Sequence, residues 1–262
     1  MALLHANFYS EILEMETEME VILPQRTKKH PVLSGIREDG SYPVLYLLHG
    51  MNGNQTSWIR KTSIERYVND LGLAVVMPTT YMGWYTDTAY GSRYWTFLSQ
   101  ELPRICREFF PKISPRREDT FAAGLSMGGY GALKLGLGAP EQFGAVASLS
   151  GALDMMSLVE GPEVAEKKEY WEGIFGPLTK ARGSENDLLA MADKLKVSGA
   201  QPPRIYIWCG TEDFIYEQSL SARDHLRKLG FDVTYEESPG THEWKYWDDK
   251  IQRVLEWLSF TA

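Results

Sequence analysis

The sequence predicts an α/β fold in which helices cover both faces of a mostly parallel sheet. After Pro43, six short apolar segments recur, at 44–48, 73–77, 120–123, 145–149, 204–208 and 233–235. Continuous apolar runs of this length are typical of strands buried on both faces. Helical patterns lie between these segments, and strands that alternate with helices indicate a parallel sheet.

The remaining elements follow from periodicity. Residues 8–23 predict two strands, and residues 15–21 alternate with a period of two, as expected for an antiparallel strand with one face in solvent. Apolar residues spaced three and four apart predict one helix over 94–109 and another over 244–258.

Residues 155–200 interrupt the alternation of strands and helices. This segment is charged, has helical patterns at 164–171 and 187–195, and contains no clear strand. We interpret it as a small helical cap inserted over the edge of the sheet. The chain has no repeat and no long Pro/Gly/Ser linker, so residues 1–262 are expected to form a single domain.

Composition excludes several classes of function. The net charge of −8 disfavours nucleic-acid binding, and no apolar window reaches the ~18 residues of a membrane span. The chain shows no metal-ligand spacing and no Gly-rich nucleotide loop, so neither a metal nor another cofactor is expected. Its two cysteines, Cys106 and Cys209, and the lack of a targeting pattern at the N-terminus predict a cytoplasmic protein.

A nucleophilic serine is the strongest chemical signal. Residues 124–128 have the pattern G-x-S-x-G, with Ser126 at the centre, directly after an apolar strand and before a glycine-rich helix. Glycines destabilise a helix interior, so their number here indicates close backbone contacts, as in a tight strand–turn–helix. Such a turn presents the serine hydroxyl where loops can supply a base. The alternative is a glycine-rich turn that only packs a helix on a strand.

The base and its orienting acid are expected after the serine in the chain. Of the five histidines, only His225 and His242 follow Ser126; His225 has the pattern of an exposed helix face, whereas His242 lies in a loop after the last strand. Asp213 follows the preceding strand and would orient the imidazole, with Glu212 as the rival carboxylate. A helix N-cap is the structural alternative for Asp213.

Two backbone N–H groups are expected to form an oxyanion hole. One belongs to Met127, directly after the serine, and the other to Met51 in the glycine-rich loop that follows strand 44–48, with Gly53 as the alternative. His49 precedes Ser126 in the chain and is interpreted as a support of this loop.

These motifs together resemble a known family. Residues 49–54, 84–86, 124–131 and 150–152 resemble those of bacterial tributyrin esterases of the esterase D group, with S-formylglutathione hydrolases and the mycolyltransferase fold as wider relatives. The resemblance runs from about residue 9 to the C-terminus. It implies an α/β-hydrolase that cleaves short-chain acyl esters through an acyl-enzyme, with family roles on Ser126, Asp213 and His242 and backbone donors at Met51 and Met127.

The function predicted is hydrolysis of small esters, of the tributyrin type or of aryl or sugar alcohols. The alternatives are acyl transfer or thioester hydrolysis by the same triad, and a non-catalytic hydrolase-like binding module. Eight tryptophans are more than a core of this size needs, and we expect Trp58, Trp84, Tyr85 and Trp244 to form an apolar substrate pocket. The oligomeric state stays open, a homo-oligomer included.

Overall fold

An eight-stranded sheet organises the chain, with strand order β1-β2-β4-β3-β5-β6-β7-β8. The computed structural model describes residues 1–29, 33–159 and 166–258. The strands are β1 (Ala2–Ser10), β2 (Met15–Leu23), β3 (Val44–Leu48), β4 (Ala74–Pro78), β5 (Thr120–Leu125), β6 (Ala145–Leu149), β7 (Arg204–Gly210) and β8 (Val233–Ser238). Strands β3 to β8 pair in parallel, while β2 is antiparallel to both β1 and β4.

All six predicted parallel strands and the two antiparallel ones are present. Strands β3, β4, β5 and β6 are buried at every position, which explains why they read as uninterrupted apolar runs. The first strand begins at Ala2, six residues before the predicted start. Most of β1 is exposed and pairs with β2 through the backbone, so no apolar pattern marks its beginning.

Helices cover both faces. They are α1 (Ser57–Lys61), α2 (Ile64–Val68), α3 (Tyr94–Thr96), α4 (Leu102–Phe109), α5 (Met127–Gly138), α6 (Met155–Val159), α7 (Lys168–Phe175), α8 (Leu188–Ser198), α9 (Tyr216–Lys228) and α10 (Trp244–Leu258). The predicted helix over 94–109 is interrupted by a π-helical turn at Phe97–Glu101, whereas α10 matches its prediction.

Alternate residues of the strands point into two separate cores. Tyr46 of β3 belongs to the core that contains residues of α4, α5 and α9, while Leu45 and Leu47 belong to the core that contains residues of α1, α2 and α10. No helix in the described part of the chain is long and apolar enough to cross a membrane.

The segment 155–200 packs beside α5 and has no strand in its described part. A buried lysine of α5, Lys134, joins the two: its Nζ donates to Thr86 Oγ1 (2.7 Å) and to Asn186 Oδ1 (2.6 Å). Residues 160–165, part of the predicted helical stretch 164–171 included, lie outside the described residues. The segment therefore lies against the helix that follows Ser126.

Candidate active site

Ser126 occupies the turn between β5 and α5. Its backbone has φ 53° and ψ −120°, a positive-φ conformation that a non-glycine residue rarely adopts. Hydrogen bonds fix the turn, because the Ser126 N–H donates to the Leu149 carbonyl (3.0 Å) and its own carbonyl accepts from Tyr130 (3.1 Å). The surrounding structure thus holds a strained residue in place.

The glycines beside Ser126 allow the helix to lie directly on the strands. A Cβ on Gly124 would lie 2.5 Å from the carbonyl carbon of Gly128. A Cβ on Gly128 would lie 2.7 Å from the His49 carbonyl oxygen and closer still to that of Leu48. Close backbone approach, which the sequence predicted for this turn, explains why glycine is required at both positions.

His242 lies in the loop between β8 and α10 and reaches both predicted partners. Its Nε2 is 3.0 Å from Ser126 Oγ, and its Nδ1 is 2.9 and 3.0 Å from the two carboxylate oxygens of Asp213. A carboxylate can only accept, so Nδ1 carries the proton and Nε2 is the acceptor for the serine hydroxyl. The imidazole is held between two rings, Phe214 at 4.7 Å and Trp247 at 4.9 Å between centroids.

Asp213 is the carboxylate that faces the imidazole, and its side chain is fully buried. It also accepts from the Ile215 N–H (3.1 Å). Asp213 is not the helix N-cap of the structural alternative, because α9 begins at Tyr216 and its N-cap is Ile215. Glu212 instead accepts from the Gly240 N–H and the Thr211 hydroxyl. These hydrogen bonds hold the pKa of the Glu212 carboxyl below its usual range.

His225 lies elsewhere, on α9. Its Nε2 is 3.0 Å from Asp193 on α8, near the protein surface. The prediction that it belongs to a solvated helix face agrees with this position.

His49 fixes the loop that follows β3. Its Nδ1–H donates to the Gly50 carbonyl (2.8 Å), and its Nε2 accepts from the Thr80 N–H (3.2 Å). Burial lowers the pKa of His49 to about 4, so the ring is neutral at pH 7 and can keep this acceptor role. The Tyr85 hydroxyl donates to the His49 carbonyl (2.7 Å) and adds a further restraint.

Met51 and Met127 both lie next to the serine. Met127 is the first residue of α5, where backbone N–H groups have no acceptor within the helix. Gly50 packs against the serine turn, since a Cβ there would lie 3.5 Å from Ser126 Cβ, and Met51 follows it on the pocket wall. The N-terminus of α5 therefore favours negative charge that develops beside Ser126.

An open pocket of about 390 Å³ surrounds Ser126 Oγ and His242. Of the four aromatic residues that the sequence assigned to it, Trp244 lines it. The remaining lining residues come from the loop after β3, from α1, from the turn before α5 and from the segments around His242: Gly50, Met51, Asn52, Gly53, Ser57, Lys61, Leu125, Phe214 and Trp247.

Trp84 and Tyr85 do not line this pocket, which corrects the expectation that they contact substrate. Both are at most 2% exposed. Trp84 packs between Tyr130 and Trp171, at 5.8 and 5.3 Å between centroids, and its Nε1 donates to the Tyr170 hydroxyl (3.1 Å). These two residues support the serine helix and the loop after β3 from behind.

Trp58 requires the same correction. It is 1% exposed, and its indole N–H donates to the Leu48 carbonyl (2.9 Å) at the end of β3. Its ring meets Trp244 edge-on at 5.3 Å. Trp58 therefore positions Trp244, which lines the pocket itself.

The sequence analysis missed several pocket residues, among them Ser57, Lys61, Phe214 and Trp247. Phe214 directly follows the predicted acid, and Trp247 lies three residues after Trp244 on the same face of a helix, so both had a signal in their spacing. Lys61 had none, because a lysine at the end of a short helix looks like ordinary surface. In the described part of the chain, no cluster of three His, Cys, Asp or Glu side chains could hold a metal ion.

Comparisons with known proteins agree with this geometry. The Esterase family model matches residues 10–258. The acetyl esterase of Caldicellulosiruptor saccharolyticus is 33% identical over 264 residues, covering 99% of this chain and 98% of that protein.

Two solved structures from Staphylococcus aureus are similar over 98% of this chain and 98% of their own chains. They are the fluorophosphonate-binding serine hydrolase F (FphF), 32% identical with a TM-score of 0.85, and the S-formylglutathione hydrolase FrmB, 33% identical with a TM-score of 0.83. The family match covers nearly the entire chain. The chain belongs to the Esterase family and is a carboxylic ester hydrolase with the α/β-hydrolase fold.

Proposed function

We propose that the protein hydrolyses short-chain acyl esters through an acyl-enzyme on Ser126. The observation that carries this proposal is the continuous hydrogen-bonded chain from Ser126 Oγ through His242 to the buried carboxylate of Asp213. A serine hydroxyl is a weak nucleophile until a base accepts its proton, and His242 Nε2 is within reach to do so.

The reaction proceeds in two steps. Ser126 Oγ attacks the ester carbonyl while its proton passes to His242 Nε2, and the same proton then goes to the leaving alcohol as the C–O bond breaks. Water then attacks the carbonyl of the acyl-enzyme while His242 takes a proton from the water molecule. His242 gives this proton to Ser126 Oγ as the carboxylic acid leaves. Asp213 holds the imidazole in the Nδ1–H form and stabilises the imidazolium that forms in each step.

The oxyanion of each tetrahedral intermediate is assigned to the N–H groups of Met51 and Met127. The positions of the two residues support this assignment: Met127 begins α5, and Met51 lies on the pocket wall in a loop fixed by His49. One such donor is worth about 10²–10³-fold in turnover.

A short acyl chain is favoured by the size of the pocket. Its volume of about 390 Å³ is near the lower end of the ~300–1,000 Å³ typical of ligand sites, and it must hold parts of both the acyl group and the alcohol. Trp244 and Phe214 give the pocket apolar, rigid walls.

Three variants test the mechanism with p-nitrophenyl butyrate. Ser126→Ala and Asp213→Asn should each lower kcat by about 10⁴-fold or more, because the first removes the nucleophile and the second favours the wrong imidazole tautomer. Glu212→Gln is the matched control and should lose less than about tenfold, since an amide oxygen still accepts the Gly240 N–H. Turnover of Ser126→Ala close to that of the wild type would refute the mechanism.

Thioester hydrolysis is a second candidate. The similarity to the S-formylglutathione hydrolase FrmB over nearly the whole chain favours it, and the same acyl-enzyme chemistry applies to a thiol leaving group. Comparison of kcat/KM for S-formylglutathione and for p-nitrophenyl acetate tests this activity. A thioester rate no higher in wild type than in Ser126→Ala would exclude it.

We also propose a cytoplasmic location. Cys106 and Cys209 are free and buried, and burial raises the pKa of each thiol to about 12. A chain whose two cysteines form no disulfide fits a reducing compartment. Fractionation of cells that express the full chain tests this assignment, and recovery of the protein outside the cytoplasm would contradict it.

A further inference from the structure

A lysine lies on the wall of the pocket that contains Ser126. Lys61 is the last residue of α1, is exposed, and lines the pocket together with Trp244. Its Nζ lies 5.2 Å from the centroid of the Trp244 ring, a cation–π contact. The pocket therefore contains a cation held against one of its aromatic walls.

This cation has no acidic partner within the described ranges. In the part of the chain that the structure describes, Lys61 forms no ion pair, and no aspartate or glutamate lines the pocket. The surface lysine Lys245 is different, with its Nζ 3.1 Å from Glu243.

The position of Lys61 is built into the fold. Ser57 and Lys61 are four residues apart on α1, share one face of the helix and both line the pocket. The helix is fixed by Trp58, whose indole N–H donates to the Leu48 carbonyl, and whose ring meets Trp244. Asp248, which packs near the end of α1, is engaged by the Ser63 N–H (3.2 Å) and the Tyr67 hydroxyl.

The contact with Trp244 indicates which part of a substrate Lys61 would meet. In the proposed mechanism His242 protonates the leaving group, so the leaving group lies on the His242 side of the scissile bond. Trp244 follows His242 by two residues, and both rings contact Trp247, at 5.4 and 4.9 Å between centroids. Lys61 is therefore on the leaving-group side.

We propose that Lys61 is a specificity residue that binds a carboxylate on the alcohol or thiol portion of the substrate. This inference rests on the proposed function and narrows it to esters or thioesters with an anionic leaving group. An ammonium beside an aromatic wall, with no competing carboxylate in the pocket, attracts such a group and repels cationic esters.

The test compares two nearly isosteric esters, 4-acetoxybenzoate, which is anionic, and 4-acetoxybenzamide, which is neutral. The measured quantity is the ratio of their kcat/KM values, so that effects common to both esters cancel. Lys61→Gln should lower this ratio about five- to thirtyfold, between the value of an exposed ion pair and that of a shielded charge-assisted hydrogen bond. The change should occur in KM of the anionic ester.

Lys61→Glu and Lys112→Gln sharpen the test. Charge reversal at Lys61 should lower the ratio further and raise kcat/KM for 4-acetoxyphenyltrimethylammonium relative to the benzamide. Lys112 is exposed, and its carbonyl accepts from Tyr42 just before β3, so it lies at the opposite edge of the sheet. Lys112→Gln changes the net charge equally and should leave the ratio at the wild-type value.

The outcomes separate the two proposals. If Ser126→Ala abolishes turnover of the benzamide and the ratio is the same in wild type, Lys61→Gln and Lys61→Glu, the role of Lys61 is refuted while the esterase mechanism stands. If wild-type enzyme hydrolyses neither ester, the proposed function itself fails. A ratio that falls equally in Lys112→Gln would show a general charge effect and overturn the assignment to Lys61.

Discussion

Gly128→Ala should lower the activity of the enzyme by displacing Ser126, to a degree that the loss of fold stability alone does not explain. A Cβ at residue 128 would lie 2.7 Å from the His49 carbonyl oxygen, whereas ordinary van der Waals contact begins at 3.4 Å. The start of α5 would have to retreat from β3 by at least 0.7 Å. This movement displaces Ser126 and Met127 on the helix relative to Met51 on the strand side, and a misplacement of about 1 Å can cost about 10²-fold in rate.

We therefore expect kcat/KM of folded Gly128→Ala to fall about 10²-fold, with a loss of ~1–3 kcal/mol in the free energy of unfolding. Gly136→Ala is the matched control. Its Cβ would lie 2.8 and 2.9 Å from the methyl carbons of Val146, so it also overpacks the same helix, but about 12 Å further along.

Urea unfolding gives the stability of each variant, and kcat/KM is measured per folded molecule under conditions where both are folded. Gly136→Ala should be destabilised and keep an activity close to that of the wild type. If Gly128→Ala has a kcat/KM within threefold of Gly136→Ala, close helix–strand contact does not position the serine and the reasoning fails.

Three further predictions concern buried groups and the pocket walls. Burial lowers the pKa of Lys134 from 10.5 to about 7, so between these pH values the unfolded chain binds one proton more than the folded protein. The free energy of unfolding should therefore rise with pH over this range by on the order of 1 kcal/mol per pH unit. Urea unfolding at pH 7 to 9.5 measures this rise, and an equal slope in Lys134→Met would contradict the prediction. His49 has its pKa lowered from 6.5 to about 4, so stability should fall as pH drops from 6.5 towards 4, and His49→Gln should show a shallower acid profile in the same assay. Trp84→Ala should lose about 3–5 kcal/mol of stability and keep the acyl-chain preference of the wild type, whereas Trp244→Ala should change that preference; a changed preference in folded Trp84→Ala would restore the original assignment.

Chain order and topology made the candidate triad predictable. Ser126, Asp213 and His242 each follow a strand, and the carboxyl ends of parallel strands meet at one edge of a sheet. Three loops that are far apart in sequence therefore converge. The structure brings the three side chains within hydrogen-bond distance, and further hydrogen bonds hold the turn at Ser126 and the carboxylate of Asp213 in place.

The walls of the pocket were less predictable, since a loop residue can face the ligand or the core. Trp84 and Tyr85 have φ values of 51° and 54°, a local turn that no residue pattern announced. Both rings are buried, and Tyr85 packs under α5, where a Cβ on Gly131 would lie 2.5 Å from its ring. The glycine-rich helix indicated a close approach, but the sequence did not show that an aromatic ring was the partner.

Aromatic side chains pack at positions of backbone strain at this edge of the sheet. Ser126, Trp84, Tyr85 and Ser150 all have positive φ, and each such residue costs about 1–3 kcal/mol unless its surroundings hold it. Burial of the rings of Trp84 and Tyr85 offsets the cost of the strained backbone at these two residues. Ser150 is held by a hydrogen bond, since the Trp247 indole N–H donates to its Oγ (3.1 Å). Trp58, Trp84 and Tyr85 thus stabilise the loop after β3 and the serine helix. The aromatic rings on the pocket itself lie on the first turn of α10 and directly after Asp213.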